Sequence, residues 1–382
     1  MGWDGGSAFS LIASGTCPNG RGHLPKRRRA WAHMQHRTVE PVGADPRVEL
    51  VAQSDERWLR FLSDAHPSLF HTPRWCSLIS TEYGFPGRVA LALSGSTVVA
   101  GLPYAEVNDF RGRRRVAYAF SDVCGPLGLA SAWPAIEAAL CSEGIPWQIR
   151  SLLAPSAAAD SIDSPGVHQT MELPATVPQA LAMTHEKQRV NARRLERAGG
   201  TCRKISDRTF LEPFYCLFAT LRKRKFRLLP QSKEFFERLA AAYFPEHGFA
   251  LFAELNGNVL AAMIFLAEGD TLYYKYGASN ADAGDLRPSN FLFQKAIEEA
   301  VVRGYRRLDL GISIDEGLRR FKRHLGAASA PYYVGRYAER PKTEEVAELE
   351  RTLSALTRVL TEPEVPLAAA ADAGAALYRF FV

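Results

Sequence analysis

The sequence predicts an α/β (α+β) fold in which one unit of mixed sheet and helices is built twice. The order helix, β-hairpin, strand, helix, strand occurs in residues 47–173 and again in residues 174–338. Each copy signals its hairpin with a tight turn, Ser94-Gly95-Ser96 in the first and Asn256-Gly257 in the second. The likeness lies in element order; residue identity between the copies is weak.

In the first copy, residues 48–62 read as a strand entering a helix, and 74–83 as a short helix after Pro73. Strands 88–93 and 97–107 form the hairpin, and strand 113–120 leads into Ser121-Asp122-Val123-Cys124-Gly125-Pro126. A helix over 131–143 and a strand over 147–152 follow. The Ala-, Ser- and Pro-rich stretch 154–164 reads as a loop, and 171–173 as a short closing strand.

The second copy runs through helices 177–183 and 186–198, strand 201–205, and helices 209–225 and 233–243. Hairpin strands 249–255 and 258–267, strand 271–279, helix 289–303 and strand 307–310 come next. A helical turn over 319–326 and a final strand over 332–336 complete it. Residues 339–382 read as C-terminal helices. Val346, Leu349, Leu353, Leu356 and Leu360 make one apolar stripe, expected to pack on the body, and a second helix spans 368–381.

With 47% hydrophobic and 23% charged residues, the composition is that of a soluble globular protein. No apolar run approaches the roughly 18 residues of a membrane span. The expectation is a cytoplasmic protein, with peripheral contact at the inner membrane face as one reading. Residues 1–46 are Gly- and Arg-rich and aperiodic, with the run Lys26-Arg27-Arg28-Arg29, and read as a disordered basic extension. Residues 9–13 are too short for the apolar core of a signal peptide, and Met34 is an alternative start. The six cysteines form no C-x-x-C pair, and Arg189 stands where the second His of HExxH would fall, so no metal is expected. Walker A and G-x-G-x-x-G are absent.

The net charge is +6, and its placement matters more than its size. Residues 185–227 hold 13 Lys/Arg against 4 Asp/Glu, more than the whole-chain surplus. Arg189, Arg193 and Arg197 stack on one helix side, where like charges repel unless an anion is near. A solvated helix face is one reading. A surface for phosphates, RNA or acidic lipid head groups is the other.

The most informative stretch is LDLGISIDEGLRRFKRHLG, residues 308–326. A strand enters Gly311, and Arg319, Arg320, Lys322 and Arg323 then crowd five helical positions. Lys322 lies beside the apolar side formed by Leu318, Phe321 and Leu325, where its stem can pack while its ammonium reaches a cleft. Asp309, at the strand end, suits either orienting a base or pairing with an arginine. In YYKYGAS, residues 273–279, strand alternation puts Tyr274 with Tyr276 and Tyr273 with Lys275. These are core aromatics with a snorkelling lysine, or hydroxyls and an ammonium aimed into a cleft, with Gly277 permitting close approach. Pro288 suits a first helical turn, and Ser289 and Asn290 either cap it or leave backbone N–H groups for an anion.

Together HTPRW (71–75), LPY (102–104), SDVCGPLG (121–128), KQRVNARRLERAGG (187–200), YYKYGAS, LRPSNFL, LDLG and GLRRFKRHLG resemble the FemAB-type, BioF2-like acyltransferases of the GNAT superfamily. The resemblance covers about residues 48–336, with a weaker echo in LYRFF at 377–381. It implies two tandem GNAT-like domains with mixed central sheets, and transfer of an acyl or aminoacyl group to an amine. It implies Lys322 contacting donor phosphate and steadying transition-state charge, and matches Asp122 to the family's acidic residue; the catalytic set is then Lys322 with Asp309, Asp122 or a phosphate of the substrate as the base. Arg189, Arg193, Tyr274, Tyr276, Lys275, Asn290 and Arg319 are the substrate-binding set. No tightly bound cofactor is implied; acyl-CoA or aminoacyl-tRNA is the donor, and the acceptor amine is soluble or lipid-linked.

The chain departs from the family pattern twice. GDLRPSN stands where GNAT proteins carry Arg/Gln-x-x-Gly-x-Gly/Ala, which puts coenzyme A binding in question. The long charged helical arm of some peptidoglycan-bridge enzymes is missing, which does the same for full tRNA docking. The leading expectation is amide formation on a cell-envelope, peptidoglycan or exopolysaccharide precursor. The rivals are acyl-CoA-dependent N-acetylation of a small molecule and a non-catalytic GNAT-like module that binds anions.

Overall fold

The structure is a computed structural model that describes residues 46–156 and 158–382. The basic extension and the Met34 start anticipated from the sequence lie outside the described residues, apart from position 46. The first half comprises β1 (Arg47–Ala52), α1 (Glu56–Asp64), α2 (Pro73–Tyr83), β2 (Gly87–Ser94), β3 (Thr97–Asp109), β4 (Gly112–Ala117), β5 (Leu127–Gly128), α3 (Trp133–Cys141), β6 (Trp147–Ser151) and β7 (Ser161–Glu172). The second comprises α4 (Val177–Ala182), α5 (Glu186–Arg197), β8 (Thr201–Ile205), α6 (Leu211–Leu221), α7 (Lys233–Tyr243), β9 (Gly248–Leu255), β10 (Asn258–Glu268), β11 (Thr271–Ser279), α8 (Pro288–Val302), β12 (Arg307–Ser313), α9 (Glu316–His324) and β13 (Ala328–Tyr337). Helices α10 (Glu344–Leu360) and α11 (Leu367–Leu377) follow.

The helix starts are written locally. Asp55, Thr72, Ser232, Asp315 and Thr343 each accept a backbone N–H of the first turn through their side chains. Pro73 and Pro288 occupy first-turn positions of α2 and α8, where a missing N–H costs nothing.

The strands share one sheet, in the order β1-β2-β3-β4-β6-β13-β7-β12-β11-β10-β9-β8, with β5 attached to β3. The pairs β4/β6 and β11/β12 are parallel, each joined by a crossover helix (α3 and α8); the remaining pairs are antiparallel. The halves interlock at the centre. β7 closes the first half yet lies against β12 of the second, and β13 closes the second yet lies against β6 of the first. The largest apolar cluster draws on both halves. Phe70, Trp75 and Tyr118 pack there with Phe214, Phe235 and Tyr276. Burying such a side chain fully is worth about 2–3 kcal/mol.

Three sequence expectations are corrected. Residues 161–164 belong to β7, which begins ten residues before the expected closing strand. Its polar run reads as a loop because pairing with β13, rather than propensity, makes it a strand. The helix expected over 209–225 ends as α at Leu221, and Arg222–Phe226 widen into a π-turn. There Arg222 donates to the Leu229 carbonyl and Lys223 to that of Glu362, which draws the cations inward. The α10 stripe is only partly covered, with Leu349 48% and Leu356 45% exposed, because α10 stands off the sheet across a cleft.

Candidate active site

β12 leaves its ladder with β7 at one point. Gly311 takes φ 69°, and the pairing slips between Asp309 and Ile312. Glycine adopts this left-handed conformation without steric cost. Two carbonyls are thereby offered to α9: the Lys322 ammonium donates to Ile312 O at 2.9 Å and to Gly311 O at 3.5 Å. Of the four cations on α9, Lys322 alone is buried, at 2% exposure. Burial pushes its ammonium down to about 8, against the opposing pull of Asp122 and Asp309.

Both oxygens of Asp309 lie 3.0 Å from His168 Nε2, a β7 side chain, and Oδ1 also accepts the Gly311 N–H at 2.7 Å. Burial alone would raise the Asp309 carboxyl, but the His168 charge and these hydrogen bonds hold it below the usual value. Burial works to lower the His168 imidazole, and Asp309 outweighs it, so the net direction is upward. The two groups hold each other charged.

A second buried pair abuts the first. Lys275 Nζ donates to Asp122 Oδ2 at 3.3 Å and to Phe120 O at 3.2 Å, and sits 4.7 Å from the Phe70 ring centre and 4.9 Å from that of Trp75. Burial lowers the Lys275 ammonium while Asp122 resists. The Asp122 carboxylate rests against Gly311: a β-carbon there would stand 3.2 Å from Oδ2. Asp122 Oδ1 is buried with no hydrogen-bond partner among the described residues. Asp122, His168, Lys275, Asp309 and Lys322 thus form one buried cluster of alternating charge across the seam between the halves.

A bulge in the β10–β11 ladder decides which tyrosine joins it. Ile264 pairs with Tyr276 but Phe265 with Tyr274, so Lys275 is the extra residue. Strict alternation fails at that point. Tyr273 and Tyr276 share the core that spans both halves, while Tyr274 faces the other core, edge-on to Phe293. The expected pairing of Tyr274 with Tyr276 is therefore corrected. Tyr276 lies under Lys275, its ring centre 5.8 Å from Nζ.

Of the residues singled out by sequence, the fold gathers Asp122, Lys275, Asp309 and Lys322, with Tyr276 against them. Arg319 lies alongside, donating to Ser313 O at 3.3 Å and Pro165 O at 3.2 Å. Besides Tyr274 in the other core, three more stand elsewhere. Arg189 donates to the carbonyls of Thr184 and Leu181 at the end of α4. Arg193 is exposed on α5. Asn290 is buried and donates to Gln188 Oε1, tying α8 to α5. His168 escaped the sequence reading because it falls in the stretch between the expected loop and closing strand. The apolar positions Val167 and Met171 flanking it were the cue that a longer strand ran through. No group of three or more His, Cys, Asp or Glu among the described residues is arranged to hold a metal ion.

Residues 184–323 match the family model described as Acetyltransferase (GNAT) domain, which takes in Lys275, Asp309 and Lys322. No curated protein matches the chain. Among solved structures, FemX is similar at a TM-score of 0.56 and 13% identity, over 75% of this chain and 96% of its own. L-PGS from Bacillus licheniformis is similar at a TM-score of 0.50 and 14% identity, over 82% of this chain and 98% of its own. At such identities the likeness is one of fold, and the doubled α/β architecture anticipated from element order is the fold the chain adopts. Residues 184–323 are a GNAT-type acetyltransferase domain, and by that domain the chain is an acyltransferase.

Proposed function

We propose that this acyltransferase forms an amide on an amine of a cell-envelope precursor, a peptidoglycan or exopolysaccharide unit, by aminolysis of an activated ester or thioester. The observation that carries the reading is the buried cluster, in which Lys322 and Asp309 from the matched domain meet Asp122 from the other half. The neutral amine attacks the donor carbonyl, a C–N bond forms, and the oxyanion is stabilised by the Lys322 ammonium. Asp122, with one oxygen unpartnered, accepts the amine proton, and collapse expels the thiolate or ribose alkoxide, which takes up the proton. Asp309, with both oxygens engaged, orients the site instead. The donor phosphates fall to the first turn of α8, which no side chain caps, and to exposed Arg193 on α5.

The family match favours an acyl-CoA donor, and with it N-acetylation of a small amine as the second reading. Isothermal titration with acetyl-CoA, with charged tRNA and with a lipid-linked precursor, paired with mass spectrometry for the amide, tests both. Amide on the envelope precursor supports the first. Saturable acetyl-CoA binding with acetylated small amines supports the second. Binding without any product removes both.

A further inference from the structure

The strand face turned toward α10 is not the apolar surface that a packed sheet presents. Val116 of β4, Gln148 of β6 and Arg336 of β13 lie in one cross-strand row, and Arg150 stands two residues beyond Gln148 on the same face. Between this face and α10, with the segment 380–382 at one side, runs a cleft of about 700 Å³. Seven Lys or Arg and two Glu side chains line it, and carboxylates outside the lining offset part of that excess.

The partners show which cations are free for a ligand. Arg111 and Arg114 both bind the Asp109 carboxylate, Arg113 binds Glu106, Lys342 binds Glu350, and Arg336 binds Asp163. Arg150 has no carboxylate partner among the described residues. Its guanidinium donates to the Ser121 carbonyl at 2.9 Å, and its Nε is buried with no hydrogen-bond partner among them. Arg150 is half-buried and lines the cleft, so an anion there meets a guanidinium that no carboxylate neutralises. Phe120 and Tyr118 add aromatic wall beside it. The volume suits a ligand of nucleotide size.

We propose that this cleft is a second ligand site that takes a phosphorylated small molecule, its phosphoryl oxygens held by Arg150 and Gln148, with Arg336, which keeps Asp163 as its partner, adding a weaker contact at the rim. The site adjoins the acyl-transfer cluster, since Phe120 lines the cleft while its carbonyl accepts from Lys275 and Arg150 donates to Ser121 beside Asp122, but the proposal does not depend on the reading of that cluster. A lipid bilayer does not fit it, because α10 roofs the cleft.

Titration calorimetry of the full chain at low salt with inorganic pyrophosphate and with uridine diphosphate tests this. Saturable binding is expected, weakening as salt rises. Arg150→Ala should weaken it at least tenfold and Arg336→Ala several-fold, while Arg203→Ala, at the far end of the sheet, should leave it unchanged. Circular dichroism checks that each variant is folded, and Arg150→Lys serves if the alanine variant is not. No saturable binding of either probe, equal loss in Arg203→Ala, or malonate bound as tightly as pyrophosphate would each overturn the proposal. So would binding to phosphatidylglycerol vesicles in place of the soluble probes.

Discussion

Lys275, from the second half, donates to Asp122, from the first, with 2% and 5% of their side chains exposed. The pair is a polar clamp at the edge of the charged cluster, against the Phe70 and Trp75 rings. Removing one partner strands the other as a buried charge, at a cost of about 3–5 kcal/mol. Lys275→Met alone should therefore lower the unfolding free energy by that order. Lys275→Met with Asp122→Leu should recover part of the loss, since no charge is left behind. Urea unfolding of the single and double variants measures this, and equal stability of the two would refute the clamp.

Lys322 is expected to act in its charged form. Lys322→Ala should reduce kcat roughly a hundred- to a thousand-fold, with KM little changed. Wild-type activity should fall as pH rises through about 8, where the buried ammonium loses its proton. Stability moves the other way. The folded value lies below the 10.5 of an unburied lysine, so the unfolded chain holds the proton longer and this group's contribution improves between about 8 and 10.5. A pH–rate profile flat to pH 10 contradicts the assignment.

The His168–Asp309 pair predicts a pH window. The folded His168 value is raised above 6.5, so its contribution is complete below 6.5 and lost as pH climbs through the folded value. The folded Asp309 value is depressed below 3.8, so its contribution is present above 3.8 and lost as pH falls through the folded value. The two overlap between about 4 and 6.5. Asp309→Asn should cost more stability at pH 5 than at pH 9, as thermal melts at both will report. The same cost at both would rule out the charged pair.

Gly311→Ala tests the bulge. A residue with a β-carbon pays roughly 1–2 kcal/mol at φ 69°, and that carbon would press on Asp122 Oδ2. Stability should fall by that order, and activity should fall further because Asp122 and the Lys322 carbonyl partners move together. A melting temperature and kcat both matching wild type would mean that the bulge is dispensable.

Much of the fold was legible along the chain. Alternation, the two hairpin turns and the helix caps are local signals, and they marked the repeated element order. The functional cluster was legible in part. Asp309 stood out as a carboxylate at a strand end beside Gly311, Lys322 as the cation beside the apolar side of its helix, and Asp122 only through the family resemblance. His168 did not, because a polar strand paired on both edges looks like a loop when read alone.

The sequence by itself determined the elements and the chemistry available to them: a doubled α/β chain, an acidic residue before Gly-Pro, and a lysine on the inner side of a cationic helix. Tertiary structure alone decided the rest. Exchange of β7 and β13 between the halves brought His168 to Asp309, and a one-residue bulge at Lys275 sent Tyr274 and Tyr276 to opposite cores. The β7 pairings join segments more than a hundred residues apart and the bulge is set by the partner strand of a hairpin, and periodicity within one strand carries no record of either.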